Sequence, residues 1–246
     1  MKTQLYFLTI ILILFQNSFS QDSLVKKNGI KIFSVSPMSK NTNKVNGLAL
    51  GFGHVDNKNS THQQINGLNI EANPAPALGT IVAVIMLIHL PDIIKNNKNN
   101  NDTILVPTDQ KYKIENFTCT PDLKINGINI SSGCFFVPTK MNGLNISTGN
   151  KFVNFNGVSI APLGTIADNL NGLSVGIVNC NNNLKGLSLG IYNQSYKLNG
   201  IQLGIVNKAN TSNGIQIGLY NKSIKKGFQL GIWNKNSKRS LPFINF

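Results

Sequence analysis

Along residues 171–234 apolar and polar positions alternate with a period of two, and the alternation restarts about every fourteen residues. NGLSVGIVN (171–179), KGLSLGIYN (185–193), NGIQLGIVN (199–207), NGIQIGLYN (213–221) and KGFQLGIWN (226–234) are five copies of one phrase. One face of each copy takes three apolar side chains: Leu173, Val175 and Ile177 in the first, Ile201, Leu203 and Ile205 in the third, Phe228, Leu230 and Ile232 in the fifth. The other face takes Ser or Gln, then Gly, then Val, Tyr or Trp. Alternation of this kind with β-branched residues predicts strands. The polar segments CNNNLK, QSYKLN, KANTSN and KSIKK between the phrases predict turns. The apolar triplets are the expected buried face, with Ile205 packed between Ile191 and Leu219 of the neighbouring copies.

Glycines mark the period. Gly172, Gly186, Gly200 and Gly214 are fourteen apart and Gly227 follows at thirteen. The same Asn-Gly start recurs less regularly upstream at Gly157, Gly143, Gly127, Gly67, Gly47 and Gly29. NGLNIEANPAPALGTIVA (66–83) and NGVSIAPLGTIAD (156–168) share the start and the LGTI tetrad, which marks them as copies of one unit. The array therefore divides into irregular repeats 28–80, an insertion of about 81–124, repeats 125–170, regular repeats 171–234 and a tail 235–246. The insertion opens with IVAVIMLIHL, apolar on all sides and ended by Pro91. That run is too short for a membrane span and reads as a buried helix or strand.

One such unit cannot stand alone, because ordering fourteen backbones costs more than three apolar side chains return. Neighbours must supply the balance, which is the logic of a repeat protein. Two all-β architectures fit. In a β-solenoid each copy is one coil stacked in parallel on the last, so that Asn179, Asn193, Asn207, Asn221 and Asn234 form a ladder, and Gln202 stands beside Gln216. In an antiparallel β-meander, which could close into an outer-membrane β-barrel, each copy is one strand and hairpin. An unbroken eight-residue strand spans roughly 26 Å, and six further residues reach at most about 20 Å. A solenoid therefore needs a corner inside the phrase, and Gly176, Gly190, Gly204, Gly218 and Gly231 stand where it would fall. Mid-strand glycine in five successive meander strands would be a repeated cost. The expected fold is the β-solenoid.

The phrase G-[LIF]-[SQ]-[LIV]-G-[IL]-x-N resembles the repeat of a family of bacterial cell-surface repeat proteins of spirochaetes and Bacteroidetes. The five regular copies and the tail KRSLPFINF carry the resemblance; the N-terminal half shares only the Asn-Gly units. The resemblance implies export and a surface location, and brings no catalytic residues with it.

The N-terminus points the same way. MKTQLYFLTIILILFQNSFSQ has Lys2, an apolar run from Leu5 to Phe15, and Ser18-Phe19-Ser20 before Gln21, the layout of a secretory signal peptide over residues 1–20. A repeat domain over 21–246 then remains, placed at the cell surface or outer membrane, in the periplasm or in the medium. Cys119, Cys134 and Cys180 are odd in number and lack C-x-x-C spacing, which argues against a metal cluster; after export, one bridge between Cys119 and Cys134 competes with three idle thiols.

Charge narrows the classes further. The chain carries a net charge of +14 with Arg239 as its one arginine, so the excess is lysine. Nucleic-acid readers lean on the planar fork of arginine, and no nucleic-acid partner is expected. Lys185, Lys197, Lys208, Lys222, Lys225, Lys226 and Lys235 fall in the turns between phrases, and stacking would gather them on one edge. Such a ridge either keeps sheet edges apart or docks to envelope glycan, lipopolysaccharide or a membrane surface. Tyr192, Tyr220 and Trp233 alternate in phase with Ser188, Gln216 and Gln229, which reads as packing between layers rather than as a sugar platform.

Catalytic chemistry is not legible. No acidic residue follows Asp168 and no histidine follows His89, so the regular copies lack the usual general bases and metal ligands. His54, Asp56 and His62 read as solvated loop residues, and Asp92, Asp102 and Asp109 as isolated ones. There is no G-x-S-x-G elbow and no phosphate loop. The expectation is a non-enzymatic exported surface-repeat protein, an adhesin, scaffold or envelope component without cofactor or metal. The alternative is an integral outer-membrane barrel or pore.

Overall fold

The computed structural model describes residues 29–36, 38–39, 42–52, 62–72, 113, 122–133, 137–225 and 227–246. The expected signal peptide, nearly all of the expected insertion, Cys119, Cys134, His54 and Asp56 lie outside the described residues. Among the described residues twelve strands follow one another: β1 (Ile30–Ser36), β2 (Lys44–Gly51), β3 (Gln63–Glu71), β4 (Leu123–Ser131), β5 (Thr139–Ser147), β6 (Gly149–Ile160), β7 (Gly164–Val175), β8 (Val178–Leu198), β9 (Ile201–Ser212), β10 (Ile215–Ser223), β11 (Phe228–Lys235) and β12 (Ser240–Asn245). Leu123 and Lys124, placed by the sequence in the insertion, open β4.

Strand order in the sheet is strand order in the chain. Every pair from β1–β2 to β10–β11 is parallel, and β11–β12 is antiparallel. The chain is thus a parallel β-solenoid of about ten coils. The antiparallel meander and the closed barrel, kept open by the sequence, are set aside by strand direction. Equal positions of the phrase stack: Gln216 pairs with Gln202 on one side and with Gln229 on the other. The array also spans its long interruption, since β3 and β4 pair in register from Gln63↔Leu123 to Glu71↔Ser131.

Each coil has two walls. The first is the opening of the phrase, Ile201–Gly204 in one copy, and the second is its return, from Asn207 to Ser212. The bend between them falls just after the mid-phrase glycine. Pairing runs to Gly218↔Gly204 and resumes at Tyr220↔Val206, stepping over Leu219 and Ile205. The same step occurs between Gly190↔Gly204 and Tyr192↔Val206. At Gly204 a Cβ would strike the Gly190 carbonyl and the Asn193 amide, so glycine makes room for the neighbouring coil and its side chain. The Asn-Gly start has a different demand. Gly172 has φ of 133°, open to glycine and costly for other residues, whereas Gly200 and Gly214 open their copies without a positive φ.

The walls reverse the expected sense of the array. Gln202, Gln216 and Gln229 are wholly buried, whereas Leu203 is 45% and Ile205 47% exposed. The apolar triplets face outward and the Ser/Gln positions face inward. Tyr192, Tyr220 and Trp233 also leave the face of Ser188, Gln216 and Gln229, because the bend shifts the alternation and turns them outward while the amides stay inside. Alternation distinguishes two faces but does not say which is enclosed. A narrow coil suits side chains that bond to their own copies above and below.

The interior accordingly holds amide ladders. Asn179 Nδ2 donates to Asn193 Oδ1 (3.0 Å), Asn193 to Asn207 (2.9 Å), Asn207 to Asn221 (2.8 Å) and Asn221 to Asn234 (2.8 Å). This is the asparagine ladder expected of a solenoid. Gln216 Nε2 donates to Gln202 Oε1 and Gln229 Nε2 to Gln216 Oε1, each at 2.8 Å. The walls also bond across the core: Gln202 Nε2 reaches Ser195 Oγ at 2.9 Å, and Asn207 Nδ2 reaches the Ile217 carbonyl at 2.9 Å. A buried amide is stabilising only when its partners are present, and stacking supplies them at every coil. Apolar core comes from another column, the residue just before the Asn-Gly start, from Val45 and Ile65 through Phe155 and Leu170 to Leu198.

Candidate functional site

Because side chains of both walls meet inside, the outward side chains of the two walls point away from each other. The surface therefore has two broad faces of different chemistry. The phrase wall presents two apolar columns. One stacks Phe33 on Leu48 and Leu68 and continues to Ile215 and Phe228; the other stacks Val35 on Leu50 and Ile70 and continues to Ile217 and Leu230. Ile130, Ile146, Ile160 and Leu203 in the second column are 41–45% exposed. At the bend of the regular copies, Ile191, Ile205, Leu219 and Ile232 add a third, with exposures of 46–62%. Nothing charged interrupts the first two columns from Leu48 and Leu50 to Phe228 and Leu230.

The return wall is basic. Lys208, Lys222 and Lys235 stack in one column, and the ammonium of Lys208 lies 5.0 Å from the centre of the Tyr192 ring. A second column stacks Lys124 on Lys140. Further along it Lys197 pairs with Thr211, and the Lys225 amide bonds to the Asn210 carbonyl, which sets Lys225 beside Thr211 as well. Lys185 pairs with Asn171 in the Asn-Gly column at the edge between the walls. The six of these lysines that lie among the described residues therefore do not form the single ridge expected of them. Three share one column, two flank Thr211 in a second, Lys185 sits at the edge, and the side chain of Lys226 lies outside the described residues. Loop residues that look equivalent in sequence occupy different positions around the coil.

Ionisable groups on the inside serve the ladders. Asp168 is buried and accepts from Asn182 Nδ2 at 2.8 Å, and Glu71 accepts from Asn69 Nδ2 at 3.0 Å. Half-buried Cys180 lies on the outward side of the return wall beside Ile166; desolvation pushes its thiol up to about 11, against a smaller lowering by Lys208, so it stays protonated at neutral pH. His62 is exposed beside β3. Among the described residues, no three His, Cys, Asp or Glu side chains come together as metal ligands would.

An open cleft of about 650 Å³ lies at the last coil, between Ile215, Phe228, Asn236, Lys238, Arg239 and Phe246. The Arg239 guanidinium on its rim is already engaged. Its Nε donates to Asn245 Oδ1 at 2.9 Å, its NH2 group to the Phe246 carbonyl at 2.6 Å, and its central carbon lies over the Phe246 ring, 4.4 Å from the ring centre. Nε and one terminal nitrogen of the arginine thus bond to the residues that follow it in the tail.

Sequence reasoning passed over the exposed apolar wall, having assigned its residues to the core. The signal for it was present in two columns of unbroken apolar character, combined with an opposite column of Ser, Asn and Gln that could satisfy itself. No protein-family model, no curated protein and no solved structure matches the chain.

Proposed function

We propose that the chain is an exported, non-enzymatic surface-repeat protein, a scaffold or adhesive component of the cell envelope. The observation that carries this reading is periodicity of surface. Two outward apolar columns recur coil after coil along the array, about 4.8 Å apart, so the molecule offers an extended face rather than a pocket built by converging side chains. The signal-like N-terminal segment and the resemblance of the phrase to bacterial surface repeats support the address. On this reading the basic return wall meets the anionic polymers of an envelope, acidic glycan or lipopolysaccharide, through Lys208, Lys222 and Lys235. Such contacts weaken with salt, because exposed charges are screened.

The address is tested by expressing an epitope-tagged full chain in a bacterium with two membranes, then fractionating the cells and treating intact cells with protease. The reading expects a product shortened at its N-terminus, found in the envelope or medium and cut from outside. Full-length protein retained in the cytosol sinks it.

A further inference from the structure

We infer that two copies of this chain pair face to face through their apolar phrase walls, making a four-layered particle whose two outer surfaces are the basic return walls. Size is the first argument. Eleven strands at about 4.8 Å give the wall a length of roughly 50 Å. Two columns, widened by the third in the regular copies, give a width of roughly 15 Å. About 750 Å² per copy results, or roughly 1,500 Å² for the pair, which falls in the range of stable specific interfaces. It also exceeds the largest apolar patch that a monomer usually exposes, about 300–600 Å².

Shape is the second. A parallel sheet whose outward residues repeat at every coil presents ridges of side chains with grooves between them. The same surface turned about a two-fold axis offers grooves at the same spacing, so the wall is complementary to itself, as an isologous interface requires. Sheets meet in this way about 10 Å apart, with their apolar side chains interleaved.

Charge is the third, and it chooses between a second copy and a lipid surface. Every lysine of β2 to β11 lies on the return wall or, for Lys185, at the edge. A wall that settles on anionic headgroups would gain from lysines beside the apolar columns; here they point the other way. In the pair the same placement keeps like charges on opposite outer surfaces, where they do not oppose association. Only side chains already outside the coil are used, so Leu203 and Ile146 can be changed without hollowing the core.

The test is sedimentation velocity on the full chain at micromolar concentration, with circular dichroism and thermal unfolding alongside. The native chain should run as a dimer. Leu203→Lys combined with Ile146→Lys should raise the apparent dissociation constant by at least about a hundredfold, while the β spectrum is kept. Lys208→Glu combined with Lys222→Glu should leave the dimer intact. A native chain that is monomeric overturns the inference. If that monomer floats with phosphatidylcholine vesicles, the face belongs to lipid. If it does not, and the lysine variant loses its β spectrum, the columns are covered by the chain itself. A lysine variant that stays dimeric also overturns it, by placing the contact elsewhere. Should a dimeric native chain give a lysine variant that does not fold, Leu203→Asn with Ile146→Asn takes its place and must give a folded monomer; a dimer there overturns the inference equally.

Discussion

The central coils, β3 to β7, and the last three, β9 to β11, stack in the same parallel sense around different interiors, and they open differently, since the Asn-Gly glycines from Gly67 to Gly172 hold φ of 131–138° while Gly200 and Gly214 take no positive φ. In the centre, Ile65, Ile125, Met141, Phe155 and Leu170 fill one inward column, and Phe152 packs against Phe155 with ring centres 4.9 Å apart. An asparagine ladder, Asn69 to Asn129 to Asn145, runs beside them at 2.8 Å per step. The apolar column ends at Leu198; its next member is Ser212, and the core of the last coils is glutamine, asparagine, alanine and serine. Spacing differs as well. Partners in the buried ladder of the centre are 60 and then 16 residues apart in the chain, and in the last coils 14 and then 13. Loop length alone does not separate the two regions, since the Asn69 ladder keeps its 2.8 Å step to Asn129 across 60 residues; what apolar contact adds in the centre is tolerance of side-chain type, from Ile65 and Met141 to Phe155, because it is non-directional. An amide ladder is directional, because each Nε2 or Nδ2 must meet an oxygen of the next coil. The region that relies most on amides is also the region where the phrase is copied most faithfully.

The contrast can be broken first at its apolar end. Phe155→Ala removes the largest side chain of the central column and should cost about 3–5 kcal/mol, measured as a lowered midpoint in chemical denaturation. A cost under about 1 kcal/mol would mean that the centre, too, rests on its amides.

At the other end, Asn207→Asp changes one atom type in the ladder. The second carboxylate oxygen would face Asn221 Oδ1 and the Ile217 carbonyl, to which Asn207 now donates. A buried carboxylate among acceptors has its folded-state pKa raised above the ordinary value of about 4. The folded form then holds its proton more tightly than the unfolded chain does. Destabilisation should therefore be smallest near pH 3, grow as pH rises through the carboxylate range, and reach about 2–4 kcal/mol at pH 7. A deficit independent of pH between 3 and 7 would show that the ladder position is open to water.

The smallest effect sharpens the assignment of inside and outside. Ile205→Asp, measured at nanomolar protein so that association plays no part, should shift the unfolding free energy by about 0.5 kcal/mol. A loss of several kcal/mol would return Ile205 to the core.

Much of this fold is legible in the chain. The glycine period, the strands, the parallel stacking, the bend after Gly204 and the ladder through Asn207 all follow from spacing and reach. The in–out sense does not, because Leu203 and Gln202 alternate in the same way whichever is enclosed. The usual rule that apolar residues go inside fails where the polar column can satisfy itself. The separation of the lysines was hidden for a related reason. Turn residues such as Lys197 and Lys208 look alike in sequence, but the coil assigns each to a column by its distance from the bend. The reversed strand β12 carried no periodic signal, since it is the one element that breaks the repeat.

That reversal has a consequence for growth. A parallel coil edge is a template, and a further coil could in principle be laid on β11 without limit. β12 closes that edge in the opposite sense. Asn245 Nδ2 reaches Gln229 Oε1 at 3.1 Å and ends the glutamine ladder with an asparagine that comes from a strand running backward. β12 also contains Pro242, which has no N–H to offer, and Phe243, with φ of 63°, where its register with β11 shifts. An incoming coil thus meets a strand of the wrong direction and a shifted register. Translational symmetry is broken at β12, so β11 does not stand open there as a template for a further parallel coil.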